Sequence, residues 1–98
     1  MTIRFTMTNN SPAGKLADAE LHFEDGPLVG LKLVGFSVWA RRDGGRNVVF
    51  PARSYTVNAE RRSFSLLRPI ADSTAQDSIR TAILDAYAMF EEREAVAS

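Results

Sequence analysis

Ninety-eight residues with twelve basic and twelve acidic side chains and no cysteine describe one small, neutral domain with a single thin core. The missing cysteines exclude disulfides, thiolate metal sites and thiol nucleophiles. An apolar fraction of 45% with 24% charged residues is that of a folded globule rather than a disordered chain.

The first residues, MTIRFTMTNN, lack the apolar run of a secretory signal, which points to a cytoplasmic protein. Residues 1–15 read as a lead-in, flexible or with a short strand at 3–7, and the turn-forming stretch TNNSPAGK reads as a loop over 8–15. A domain is expected over 16–92 and a frayed tail over 93–98. From Leu16 to Phe23, Ala17, Ala19 and Leu21 alternate with Asp18, Glu20 and His22, the pattern of a strand with one wet face. Glu24-Asp25-Gly26-Pro27 reads as a turn.

Leu28 to Arg41 is the longest β pattern. Val29, Leu31 and Leu33 share one parity, whereas Phe36 and Val38 share the other, which predicts a β-bulge at Val34-Gly35. Trp39 falls off the Phe36/Val38 face and is expected to pack on a second surface or to mark an interface. The stretch is too short and too polar to span a bilayer, so no membrane association is expected.

Asp43-Gly44-Gly45 signals a hairpin turn into a strand at Asn47–Phe50, closed by Pro51. A second hairpin is expected from Tyr55–Val57 through Asn58-Ala59-Glu60 to Ser63–Leu67. A closing helix follows, with Ser73 and Gln76 spaced as a capping box. Its apolar stripe is Ala75, Ile79, Ala82, Ile83, Ala86 and Phe90, with Leu84 and Tyr87 beside it, and fraying is expected beyond Phe90. The fold class is therefore α+β: a small antiparallel sheet of three to five strands with one C-terminal helix packed on one face.

Catalytic and cofactor signals are weak. The single histidine, His22, lies on a wet strand face, the serines lack a nucleophile-elbow context, and the glycines spell no phosphate-binding loop. No catalytic residue, cofactor or metal ligand is assigned. Charge, by contrast, is unevenly placed. Arg41, Arg42, Arg46, Arg53, Arg61, Arg62 and Arg68 against Asp43 and Glu60 give residues 41–68 a charge of +5, while residues 72–98 carry −4. Guanidinium groups favour bidentate contact with phosphate. If the two hairpins were neighbours, their tips would form a shared cationic rim near Arg53. Tyr55 and Phe64 have the chemistry to stack bases, although the simpler expectation for Phe64 is a place in the core.

The order of LADAELHF, LVGLKLVGFSVW, NVVFPAR, SFSLLRPI and SIRTAILDAYAMF, from about residue 16 to 90, resembles the stage V sporulation protein G (SpoVG) family of small bacterial regulators. The similarity includes the Pro-small-basic triplet Pro51-Ala52-Arg53, the Pro69-Ile70 strand end, and Ile79 and Tyr87 in the closing helix. It implies a sheet-plus-helix fold that forms a homodimer and a non-catalytic DNA- or RNA-binding activity in gene regulation and septation. On the resemblance, Arg53 is the post-proline basic position, Arg80 lies in the closing helix, and Arg61 and Arg62 lie in the connection. Together with the hairpin arginines, the expected nucleic-acid contacts are Arg53, Arg61, Arg62, Arg41, Arg42, Arg46 and Arg80. The alternative is a protein-interaction or structural module on the same fold, meeting its partner through Trp39 and the sheet edge.

Overall fold

The computed structural model describes residues 1–7 and 12–97. Among these, six antiparallel strands form two sheets, followed by one long helix. The first sheet is a meander in the order β1 (Thr2–Thr6), β2 (Lys15–His22), β3 (Lys32–Ala40) and β4 (Arg46–Val49). The second contains only β5 (Ala52–Val57) and β6 (Glu60–Ser65), and α1 runs over Thr74–Ala97. The α+β class and the small antiparallel sheet under one C-terminal helix are as expected.

The short N-terminal strand exists and pairs along its length with β2, placing Ile3 opposite Leu21 and Phe5 opposite Ala19. Of the expected 8–15 loop, residues 8–11 lie outside the described residues. A turn closed by the Lys15 amide donating to the Pro12 carbonyl leads into β2. The alternating pattern of β2 is realised fully, with Ala17, Ala19 and Leu21 buried against the helix side.

The strand expected from Leu28 starts instead at Lys32. Gly26–Leu28 form a short 3₁₀ turn, Gly30 takes a φ of +85°, and the loop is pinned where the Phe23 amide meets the Leu31 carbonyl. Val29 and Leu31 are exposed rather than sharing a core face with Leu33. Pro27 and the two positive-φ glycines outweigh the apolar run, because neither residue type extends a strand.

The predicted bulge is present. Ala19 pairs with Phe36 but Leu21 pairs with Leu33, so Val34 and Gly35 together stand opposite Glu20. The extra residue turns Phe36 and Val38 inward, where both are buried. Gly35 has a φ of +108°, and a Cβ there would lie 2.8 Å from the Cβ of Pro51. Pro51 is itself buried, so the chain leaving β4 is pressed directly onto the bulge.

The core lies between this sheet and α1. Ile83 and Tyr87, one turn apart, are the buried helix residues, and Ile79, Leu84 and Phe90 pack beside them. Tyr87, assigned to a side strip by periodicity, is central: its ring meets Phe5 edge-on at 5.4 Å and Phe90 at 5.9 Å. Burial pushes its hydroxyl pKa up. Ala75, expected on the buried stripe, is exposed.

The capping box does not form. The Thr74 amide donates to the Asp72 carboxylate, and the Gln76 side chain donates to the Leu67 carbonyl, tying the helix start to the end of the second hairpin. The helix also continues past Phe90 to Ala97, where a frayed tail was expected.

The second hairpin is not part of the main sheet. Every residue of β5 and all of β6 except Ser65 are exposed, and Phe64, expected in the core, is 38% exposed. The radius of gyration of 15.1 Å exceeds the roughly 13 Å of a compact chain of this length. The longest dimension of 50 Å is about twice the shortest, 24 Å. A hairpin exposed along both strands and outside the main sheet fits that extended shape.

Replacing Gly35 by alanine combines an unfavourable φ with a steric conflict against Pro51, so Gly35→Ala should destabilise the fold by about 2–3 kcal/mol. Urea denaturation of the two proteins measures it, and equal midpoints would show that neither the bulge nor the Pro51 contact constrains the fold.

Candidate nucleic-acid interface

The seven arginines singled out in the sequence occupy three separate places. Arg46 opens β4 on the helix side of the sheet. Its Nη2 donates to Glu91 Oε2 at 2.9 Å, and its Nη1 donates to the Gly44 and Gly45 carbonyls at 3.0 and 3.2 Å. The bond to Glu91 pushes its pKa further up, and its Nε is buried without a partner. Arg46 thus clamps the β3–β4 turn to the helix. Arg41, in the same turn, pairs with Asp43 at 3.1 Å, and Arg42 makes no ion pair among the described residues.

Arg80 occupies a second place. It bonds Asp77 at 2.7 Å, and its guanidinium lies 5.2 Å from the ring centroid of Phe50, at the opposite end of β4 from Arg46. The acidic end of the helix is therefore at the Arg46 end, and the N-terminal half of the helix is at the Phe50 end. The hairpin departs from the latter, immediately after Pro51.

Arg53, Arg61, Arg62 and Arg68 form the third group, on and beside the projecting hairpin. The shared rim expected from both hairpins is not formed. Arg41, Arg42 and Arg46 belong to the end of the molecule that carries Glu91, and β5–β6 does not pack alongside β3–β4. β5 begins at Ala52, directly after the buried Pro51, and among the described residues it pairs only with β6, so the hairpin stays outside the main sheet.

The hairpin itself is well registered. Its two-residue loop has positive φ at Asn58 (50°) and Ala59 (65°), the primed-turn geometry that matches strand twist. Arg53 pairs with Phe64, Tyr55 with Arg62 and Val57 with Glu60, so these six side chains share one face. The other face carries Ser54, Thr56, Arg61 and Ser63. The neighbours Arg61 and Arg62 are therefore split between faces.

On the first face, the rings of Tyr55 and Phe64 meet at 5.8 Å, and the Arg68 guanidinium lies 5.7 Å from the Phe64 centroid. Arg62 bonds Glu60 at 3.0 Å, while Arg53 and Arg61 make no ion pair among the described residues. Arg68 was counted in the basic segment but was not proposed as a contact residue. Nothing local in the sequence brings it back onto Phe64; that follows from β6 ending at Ser65.

Two other features border this region. A cleft of about 260 Å³ opens between the inner sheet face and the start of α1, lined by aliphatic and aromatic side chains including Phe23, Leu67 and Ile79, with Arg68 and Gln76 as its polar groups. His22 lies 2.7 Å from Glu20 on the outer sheet face, where Lys32 also approaches Glu20 at 3.5 Å. The hydrogen bond with His22, with the Lys32 ammonium nearby, holds the Glu20 carboxyl below the usual glutamate range. Trp39 lies on that same outer face, half-buried, with its indole N–H donating to the Ser37 hydroxyl at 2.9 Å. No helix among the described residues is long and apolar enough to cross a membrane.

Comparison with protein-family models, with curated proteins and with solved structures finds no match to this chain.

The geometry separates a structural arginine from those displayed to solvent. Arg46→Ala should lower stability by about 1 kcal/mol, equivalent to roughly 4–8 °C in Tm. Differential scanning calorimetry checks this, and an unchanged Tm would mean that Arg46 does not clamp the turn to the helix.

Proposed function

We propose that this chain is a non-catalytic nucleic-acid-binding regulatory protein of the SpoVG type, and that it contacts its ligand through the β5–β6 hairpin. The observation that carries the reading is the grouping of Arg53, Arg61, Arg62 and Arg68 on an exposed hairpin opposed in its own strands by Glu60 alone. A polyanion approaching the hairpin meets concentrated positive charge and releases counterions as it binds. The negative charge of the helix end weakens this little, because Glu91 is neutralised by Arg46 and sits at the other end of β4. Beyond a Debye length of about 8 Å, such separated surface charges are largely screened.

The same arrangement supports a homodimer, which we propose is cytoplasmic. Among the described residues, the outer edges of β1 and β4 are unpaired in the main sheet, as are both edges of the two-stranded one. Two-stranded hairpins are marginal in isolation and gain from a third strand. The second reading, a protein-interaction module, is favoured by the outer sheet face, where Val49 is exposed beside Trp39 and Val34 is exposed further along β3.

Fluorescence anisotropy with labelled nucleic acid over a salt series tests the principal reading. The log of the affinity should fall linearly with log salt, and Arg53→Glu, Arg61→Glu and Arg62→Glu together should abolish binding while the circular dichroism spectrum persists. No binding at low salt would reject nucleic acid and leave the protein-interaction module. Multi-angle light scattering at micromolar concentration should give twice the 10.8 kDa chain mass. A monomer mass across the accessible concentration range would refute the dimer.

A further inference from the structure

We infer that the Tyr55–Phe64 face of the hairpin is a stacking platform, so that the ligand is single-stranded nucleic acid with unpaired bases rather than a duplex; this rests on the nucleic-acid reading above. Phosphate contact needs only the arginines, and it leaves the aromatic pair unexplained. Tyr55 is 42% exposed and Phe64 38% exposed, and they touch each other on a surface that no other element covers among the described residues. Aromatic side chains of this size dominate cores and interfaces, where they are ordinarily covered. Here they are displayed on a hairpin that lies outside the main sheet.

The register adds a guanidinium to each ring. Arg62 stands directly across the ladder from Tyr55 and Arg53 directly across from Phe64, with Arg68 above the Phe64 ring. A base laid on either ring therefore has its backbone phosphate within reach of a cation. Aromatic faces interleaved with cationic groups are what sequence-tolerant single-strand binding uses, because every base has a π-face but only an unpaired one can present it.

The competing geometry is a two-stranded ribbon laid in the major groove of a duplex, which such a hairpin is narrow enough to enter. That mode would read base edges with the opposite face, through Ser54, Thr56, Arg61 and Ser63. It would leave Tyr55 and Phe64 pointing out of the groove with nothing to contact. Only the single-strand mode uses both the rings and the arginines of one face.

The full chain should be titrated into three labelled probes at low salt: an oligo-dT and an oligo-U of about 16 nucleotides, and a duplex of similar length. Both single strands should bind at least about tenfold tighter than the duplex. Tyr55→Leu and Phe64→Leu should each weaken single-strand binding by about tenfold, leaving duplex affinity and the salt slope unchanged. Phe64→Tyr, which keeps the ring, should retain affinity and so guards against a folding defect.

Duplex binding equal to or tighter than single-strand binding would overturn the platform, as would unaltered single-strand affinity in folded Tyr55→Leu and Phe64→Leu proteins. In either case the nucleic-acid reading would stand. Absence of binding to all three probes would overturn both together.

Discussion

The arrangement of this molecule depends on the contact between Gly35 and Pro51. The bulge at Val34-Gly35 changes the parity of β3, so that Phe36 and Val38 join Ala17, Ala19 and Leu21 on the helix side. A side chain at position 35 would occupy the space of the Pro51 ring. Because glycine leaves that space open, the chain after β4 can close against the sheet and bury Pro51. One absent Cβ therefore bears both on what enters the core and on how the chain passes out of the main sheet at Pro51.

A second consequence is the separation of charge. A chain with no net charge becomes polar along its length, because Arg46 and Glu91 lie at one end of β4 while the hairpin with Arg53, Arg61 and Arg62 follows its other end. Arg46 closes one end by an ion pair that also receives two turn carbonyls into its hydrogen-bond fan. It is the only one of the seven candidate arginines with a buried, unpartnered nitrogen, so its environment is that of a structural group. Arginines that look equivalent in sequence are thereby given different work.

Much of the fold was legible because its signals are local. Alternation in β2, the Asp43-Gly44-Gly45 turn, the parity switch at Gly35 and the helix periodicity each arise within a few residues, and each appears in the structure. What was not legible depends on contacts between distant segments. Leu28–Leu31 looks like strand by hydropathy but is bent by Gly26, Pro27 and Gly30. Gln76 has the spacing for a capping box, yet the Leu67 carbonyl competes for its side chain. Phe64 reads as core by type, and only the failure of β5–β6 to join the main sheet leaves it outside. The arginine groups were visible as composition, but their division into three places needed the direction in which the chain leaves Pro51.

The isolation of the hairpin also sets how it moves. Opening a segment costs free energy in proportion to the apolar contacts it breaks, and β5–β6 breaks few, so it constitutes a cooperative unit weaker than the main sheet. Its turn adds to this, since Ala59 holds a left-handed conformation that glycine would adopt without the penalty of about 1 kcal/mol. The backbone amides of β5 and β6 therefore exchange with solvent hydrogen through local opening, while those of β2 and β3 await global unfolding. A ligand gripping the hairpin works against that opening, so part of its binding energy is absorbed in ordering the surface it binds.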